Sequence, residues 1–132
     1  MQLVAACPRS ITAVGSRLAS RGYGTPQGPV ALVAAGEEWP DGRLCPALED
    51  LLARASSICD LYAQGAGSLS AGAAATKASH EGTAGIAHAG ATGTSGRQPT
   101  TPGFVEDVAV VTEEDARTLA PVRDGDGAFA PG

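Results

Sequence analysis

The chain has 132 residues, enough for one domain with a modest core. Its hydrophobic fraction of 43% is ordinary, but 18 glycines and 9 prolines indicate that the core is small. The formal net charge of -5 argues against binding to nucleic acid or to an anionic membrane surface, because both need clustered Lys and Arg. No apolar run approaches the roughly 20 residues that cross a bilayer. The charge and the absence of such a run together predict neither a nucleic-acid nor a membrane partner.

The three cysteines indicate a reducing, cytoplasmic setting. Cys7, Cys45 and Cys59 form no Cys-x-x-Cys pair and no zinc-ligand spacing, so the sequence predicts neither a metal knuckle nor a disulfide framework. We interpret Cys45 and Cys59 as packing groups rather than nucleophiles, because nothing around Cys59 in the sequence would lower a thiol pKa. A soluble cytoplasmic protein is expected.

The N-terminal third of the chain predicts a helix followed by a strand. Ser10 is a good N-cap, Ile11, Val14 and Leu18 follow at helical spacing, and Gly22 marks a C-terminal stop. Residues 30–35, Val-Ala-Leu-Val-Ala-Ala, are apolar without polar alternation, which is typical of a strand buried on both faces. Since such strands belong to sheets covered by helices, the element order predicts an α/β domain layered helix/sheet/helix.

The clearest predicted element is a second helix, which follows the turn signature at residues 40–42. Pro46 suits the N1 position of this helix. One apolar stripe runs along it at spacings of three and four residues: Leu48, Leu51, Leu52, Ala55, Ile58, Cys59 and Tyr62. Glu49 and Asp50 fall in the first turn, where the helix dipole favours negative charge.

Residues 65–103 form a segment rich in Gly, Ala, Ser and Thr, which we expect to be flexible. The segment is either a frayed helix with loops or disordered, and its composition does not decide between the two. Beyond it, residues 104–111 suit a helix or a strand equally. Residues 124–129, Asp-Gly-Asp-Gly-Ala-Phe, predict a turn that delivers Phe129 as an aromatic anchor.

A series of short motifs runs through the chain in a fixed order. The most specific is Val-Ala-Ala-Gly-Glu-Glu-Trp-Pro-Asp-Gly at 33–42, followed by Pro-Ala-Leu-Glu-Asp-Leu-Leu at 46–52. The others are Cys-Pro-Arg-Ser-Ile-Thr-Ala-Val at 7–14, Ser-Gly-Arg at 95–97, Gly-Phe-Val-Glu-Asp-Val-Ala at 103–109 and the Asp-Gly-Ala-Phe end of 122–129. Together they resemble the C-terminal part of the 2-phosphosulfolactate phosphatases of the ComB family.

The chain also departs from that family at several points. Ser10 stands where the family has asparagine, Gly93 where cysteine is common, and Gln98 where glutamate usually follows the arginine. The family's N-terminal half has no counterpart. The resemblance therefore implies one partial ComB-like domain over residues 1–132, truncated at its N-terminus.

The resemblance implies a function, a cofactor and a set of site residues. The family removes phosphate from 2-phospho-3-sulfolactate to give 3-sulfolactate, a step in coenzyme M biosynthesis that uses Mg²⁺. By that resemblance Asp50 and Glu49 are catalytic, and Asp50, Glu49 and Asp107 are the candidate metal ligands. The candidate substrate-binding residues are Arg97, Ser95, Gly96 and Arg9. The expected partner is a small phosphorylated or sulfonated substrate, and a homo-oligomer is left open.

Each of these residues also has a structural interpretation. Glu49 and Asp50 can simply compensate the helix dipole, and Asp107 can do the same at another helix start. Arg97 can be a solvated loop arginine, and Arg9 can lie beside an ordinary helix cap. Two other functions therefore stay open, a non-catalytic remnant of the family and a small anion-binding module.

Overall fold

The computed structural model describes residues 2–83, 110 and 113–132. This part of the chain combines helices with small antiparallel sheets, which agrees with the predicted mixed class of helix and strand. Its elements are a short 3-10 helix (Pro8–Ser10), α1 (Ile11–Ser20), β1 (Glu37–Glu38), β2 (Leu44–Cys45), α2 (Leu48–Ala63), α3 (Ala71–Glu81), β3 (Pro121–Arg123) and β4 (Phe129–Pro131). None of the helices described is long and apolar enough to cross a bilayer.

Helix α1 confirms the first predicted helix. Ile11, Val14 and Leu18 are its buried apolar side chains, spaced as the sequence predicts. Gly22 has φ of +77°, and its N–H donates to the Ala19 carbonyl at 3.0 Å, which ends the helix in the manner of a glycine C-terminal stop. Local sequence therefore accounts for both the buried face and the end of α1.

The start of α1 is capped by a residue from near the other end of the chain. The side chain of Ser10 accepts no capping bond from α1. Instead, Asp115 accepts two hydrogen bonds from Thr12, one from the backbone N–H and one from the hydroxyl, each at 2.7 Å. Asp115 also donates its own N–H to the Pro8 carbonyl at 3.0 Å. These contacts tie the C-terminal segment to the start of α1 and place a negative charge at the positive end of the helix dipole.

We expect Asp115→Ala to lower the free energy of unfolding by about 1 to 2 kcal/mol, because it removes the cap of α1. Asp115→Asn is the matched control, since it keeps an acceptor and tolerates the left-handed φ of 49° at this position. The asparagine variant should lose less stability than the alanine variant. Urea unfolding of the three proteins measures both losses, and an alanine variant as stable as the wild type would rule out the capping role.

The core lies where α1, α2 and the residue before β3 meet. Val14 and Leu18 of α1 pack with Leu61 of α2 and with Ala120. Around this cluster lie partly buried side chains, namely Val4, Tyr23, Val30, Leu32 and Ala66. The core is small, as the glycine and proline content predicts.

The predicted strand at residues 30–35 is wrong. These residues carry no strand assignment, and their side chains alternate between partly buried and exposed. Val30 and Leu32 pack against the core, whereas Val33 is 85% exposed. A central strand needs a neighbour on each side to take up its N–H and C=O groups, but the strands described pair elsewhere: β1 with β2, and β3 with β4 and, by a single bridge, with Val4. The segment is therefore extended and covered on one side only.

Helix α2 is present, but its start and its buried face differ from the prediction. It begins at Leu48 with Ala47 as the N-cap, so Pro46 precedes the cap instead of occupying N1. Leu48 and Leu51 are 39% exposed and Tyr62 is 50% exposed. The buried residues are Leu52, Ala53, Ala55, Ser57, Ile58 and Leu61. The buried face is rotated because α1 and α3 both pack against α2.

Within the Gly/Ala-rich segment, residues 71–81 form helix α3. Ser70 caps it, with its hydroxyl oxygen accepting the Ala73 N–H at 3.2 Å. Of the two alternatives for this segment, a helix with loops or disorder, the helix is therefore correct for residues 71–81, although Gly72 lies in its first turn. Residues 84–109 lie outside the described residues, and so does most of the predicted element at 104–111.

The C-terminal turn is confirmed as the loop of a hairpin. Asp124 Oδ1 accepts the backbone N–H groups of Asp126 and Ala128 at 3.0 and 2.9 Å, and Gly127 has φ of +89°. The prediction that Phe129 is an aromatic anchor is wrong, because its side chain is 50% exposed. The core contact at this end comes from Ala120 instead, so the hairpin leaves β4 exposed.

Candidate functional site

The two halves of the most specific motif meet at the start of α2. Asp50 Oδ2 accepts the backbone N–H of Gly36 at 2.7 Å. Gly36 has φ of +70°, and a Cβ there would lie 2.9 Å from Leu44 Cδ1 and 3.0 Å from the Cys45 carbonyl oxygen. A larger residue would therefore be strained as well as crowded. The glycine backbone lets the loop approach the helix closely enough for the carboxylate to bind it.

The surroundings of Cys45 show that this corner of the molecule is acidic. Burial raises the pKa of the Cys45 thiol above its usual value, and the carboxylates of Glu37 and Glu49 raise it further. Cys45 is 8% exposed. A buried thiol with a raised pKa is a poor nucleophile, which supports the interpretation of Cys45 as a packing group. Burial also raises the pKa of the Cys59 thiol; Lys77, a cation that the local sequence does not place beside Cys59, lowers it only in part, so the same interpretation applies.

Glu49 and Asp50 fit a magnesium ion by the chemistry of their donor atoms. Magnesium takes one or two protein carboxylates and completes its shell with water and substrate oxygens. Both side chains are partly exposed, and the bond from Gly36 engages only one oxygen of Asp50. Nowhere in residues 2–83, 110 and 113–132 do three or more His, Cys, Asp or Glu side chains gather to hold a metal. In this part of the chain Glu49 and Asp50 therefore stay candidate ligands, as the resemblance implies.

Arg9 is engaged elsewhere in the molecule. Its Nη2 lies 2.9 Å from Glu113 Oε2, and its carbonyl accepts the Arg117 N–H at 2.7 Å. Among the described residues, no hydrogen bond or ion pair joins Arg9 to Glu49 or Asp50. The geometry thus gives Arg9 a role in holding the C-terminal segment against α1.

The other predicted site residues fall outside the part that the structure describes. These are Ser95, Gly96 and Arg97 of the Ser-Gly-Arg motif, together with the acidic residue Asp107. That these residues lie close to Asp50 therefore stays a prediction, based on the resemblance.

Asp60 of α2 is a carboxylate with a perturbed environment, and it packs against Gly15 of α1. Gly15 makes room for it, because a Cβ at position 15 would collide with Asp60 Oδ2. Burial raises the pKa of the Asp60 carboxyl, and the charge of Asp115 raises it further. A hydrogen bond from Gln64, whose Nε2 lies 2.6 Å from Asp60 Oδ2, offsets part of that increase.

The raised pKa of Asp60 predicts that this residue makes the protein less stable as pH rises. The folded state binds its proton more tightly than the unfolded state, so stability falls from the ordinary Asp pKa of about 3.9 up through the raised value. Asp60→Asn removes this contribution while keeping an acceptor for Gln64. In urea unfolding at about pH 4 and about pH 7, the variant should therefore gain stability relative to the wild type as pH rises. If the difference in unfolding free energy between the variant and the wild type were the same at both pH values, the destabilising role of Asp60 would be contradicted.

The sequence reasoning missed a cleft between α2, α3 and residues 24–32, with a volume of about 760 Å³. Its walls are mostly apolar, but Arg54 of α2 lies among them. The sequence holds one indication of this cleft: Arg54 is a charged residue within the otherwise apolar run Leu-Leu-Ala-Arg-Ala at 51–55. A long side chain on a predicted helix is usually solvated, so that signal alone does not indicate a cleft.

No protein-family model matches this chain, and no curated protein matches it. The likeness to the phosphatase family therefore rests on the short motifs and on their order along the sequence.

Proposed function

We propose that the chain acts as a magnesium-dependent phosphatase that hydrolyses 2-phospho-3-sulfolactate to 3-sulfolactate and phosphate. The observation that carries the proposal is the hydrogen bond between Gly36 and Asp50, 14 residues apart. It joins the loop at Ala35 and Gly36 to the first turn of α2, which holds Glu49 and Asp50, and these are the two parts of the motif on which the resemblance chiefly depends. The contact fixes the orientation of Asp50 while leaving its second oxygen to bind a ligand.

The chemistry of phosphate ester hydrolysis suits this set of residues. The transferring phosphoryl group spreads negative charge over its oxygens, so catalysis depends on charge neutralisation and positioning. Asp50 and Glu49 would hold Mg²⁺, with Asp107 as a further ligand, and the ion when bound polarises a phosphoryl oxygen. Arg97, beside Ser95 and Gly96, would take two oxygens of the substrate with its planar guanidinium.

The proposal also covers the wider setting of the site. The proposal includes the family's helix/sheet/helix layering, and the protein would work in the cytoplasm on a small soluble substrate. Arg9 would act by holding the C-terminal segment against α1, since its guanidinium already pairs with Glu113.

The test is phosphate release from 2-phospho-3-sulfolactate by the purified chain, with Mg²⁺ or with EDTA. We expect release that needs the metal, and slower release from 2-phospholactate, which lacks the sulfonate. A cooperative melt by circular dichroism is the control for folding. Folded protein that releases no phosphate would refute the enzyme, and binding of the substrate without turnover would favour the anion-binding module.

A further inference from the structure

The cleft between α2, α3 and residues 24–32 has the size of a ligand pocket. Its volume of about 760 Å³ falls within the range of roughly 300 to 1,000 Å³ that is usual for small-molecule sites. Val30 and Leu32 form part of one wall, and Ile58 and Leu69 form part of the others. An apolar ligand body would replace water against these side chains.

Arg54 puts a positive charge into this apolar setting. Of the described residues that line the cleft, Arg54 alone is charged. Its Nη2 donates to Thr76 Oγ1 at 3.4 Å, and its Nε is buried without a hydrogen-bond partner in the described part of the chain. No carboxylate in that part forms an ion pair with Arg54. The same holds for Arg17, Arg21, Arg117 and Arg123, but of these arginines only Arg54 lines the cleft. A cation in a partly dry site is stabilised by a paired anion, which here would come from a ligand.

The start of α3 adds a second feature that favours negative charge. Gly72 and Ala73, in the first turn of this 11-residue helix, line the same cleft. Ser70 caps the N–H of Ala73. The positive end of the α3 dipole therefore lies in the same cleft as Arg54. The dipole and the guanidinium both favour an anion over a neutral ligand or a cation.

We propose that this cleft binds a small organic anion, with the anionic head group on Arg54 and the apolar body against Val30, Leu32 and Ile58. The guanidinium fork matches a carboxylate or a phosphate ester by two parallel hydrogen bonds. Neither Glu49 nor Asp50 lines the cleft. The site is therefore independent of the proposed phosphatase chemistry and needs no metal.

Isothermal titration calorimetry of the full chain with 4-phenylbutyrate, in low salt and with EDTA present, tests the proposal without any contribution from a magnesium site. The neutral comparator is 4-phenylbutan-1-ol, which has the same carbon skeleton without the charge. We expect the acid to bind at least about tenfold more tightly than the alcohol, as for a charge-assisted hydrogen bond in place of a neutral one. The advantage should shrink as salt is added.

Arg54→Gln should remove most of that advantage, since it keeps the side chain polar but uncharged. Arg21→Gln is the matched control, because Arg21 is the exposed residue that follows α1 and does not line the cleft. It should bind the acid as the wild type does. Equal affinity for acid and alcohol, unchanged affinity in a folded Arg54→Gln variant, or no binding by folded wild-type protein would each overturn the proposal. If Arg54→Gln does not fold, the comparison of acid with alcohol on the wild type decides.

Discussion

Asp50→Asn is expected to lower kcat/KM for phosphate release from 2-phospho-3-sulfolactate by about a hundredfold or more. The substitution removes one negative charge from the carboxylates proposed to hold Mg²⁺. Loss of a single group that stabilises transition-state charge typically costs about 10² to 10³ in rate. The asparagine oxygen can still accept the Gly36 N–H, so the loop should stay in place and the loss should reflect chemistry rather than unfolding.

The control for this prediction is Asp41→Asn, in the same loop. Asp41 pairs with Arg43 at 2.7 Å on the surface, and the Arg43 side chain lowers the pKa of the Asp41 carboxyl. Removing its charge should leave kcat/KM near the wild-type value. If Asp50→Asn and Asp41→Asn retained equal activity, Asp50 would have no part in the reaction.

Leu18→Ala should lower the free energy of unfolding by about 2 to 4 kcal/mol, the usual cost of truncating a buried leucine. Leu18 is 8% exposed and belongs to the core cluster with Val14, Leu61 and Ala120. Because domains of this size are stable by only about 5 to 15 kcal/mol, one such loss removes a large share of the total. Urea unfolding gives the value directly.

Leu119→Ala provides the matched comparison, since Leu119 is 55% exposed. We expect it to cost no more than about 0.5 kcal/mol, as for most surface substitutions. Equal losses at positions 18 and 119 would mean that the core is not where α1 meets α2.

The elements that the sequence predicts correctly are those whose determinants are local. Helix α1 follows from Ile11, Val14 and Leu18 at helical spacing and from a stop at Gly22, all within a few turns of each other. The turn at 124–129 follows from its own Asp and Gly residues in the same way. Such signals require no knowledge of what packs against the segment.

The predictions that failed depend on contacts between distant parts of the chain. An apolar run such as residues 30–35 becomes a central strand only if other strands flank it, and here it lies extended against a helical core. The rotated face of α2 reflects packing of α1 and α3 on the same helix. The cap of α1 comes from Asp115, 103 residues beyond Thr12, which no local rule can identify.

The candidate site was predictable only in part. The Glu-Asp pair at the start of α2 was identified from the resemblance, and its link to Gly36 depends on how the loop folds back over 14 residues. Arg9 looked like an anion-binding residue, yet its ion pair with Glu113 could not be read from the sequence because the partner lies far along the chain. Arg54 was missed because the cleft around it is made by three separate segments.

The central claim is that the Asp50 carboxylate and the Arg97 guanidinium meet around one phosphate, and paramagnetic NMR of the native chain with Mn²⁺ in place of Mg²⁺ tests it most directly. Mn²⁺ favours the same carboxylate and water ligands as Mg²⁺ and broadens the signals of nearby nuclei. With phosphate present, we expect broadening of the Gly36 and Asp50 amide signals and of the Arg97 Nε–H signal together. A sharp Arg97 signal beside broadened Gly36 and Asp50 signals would contradict the claim.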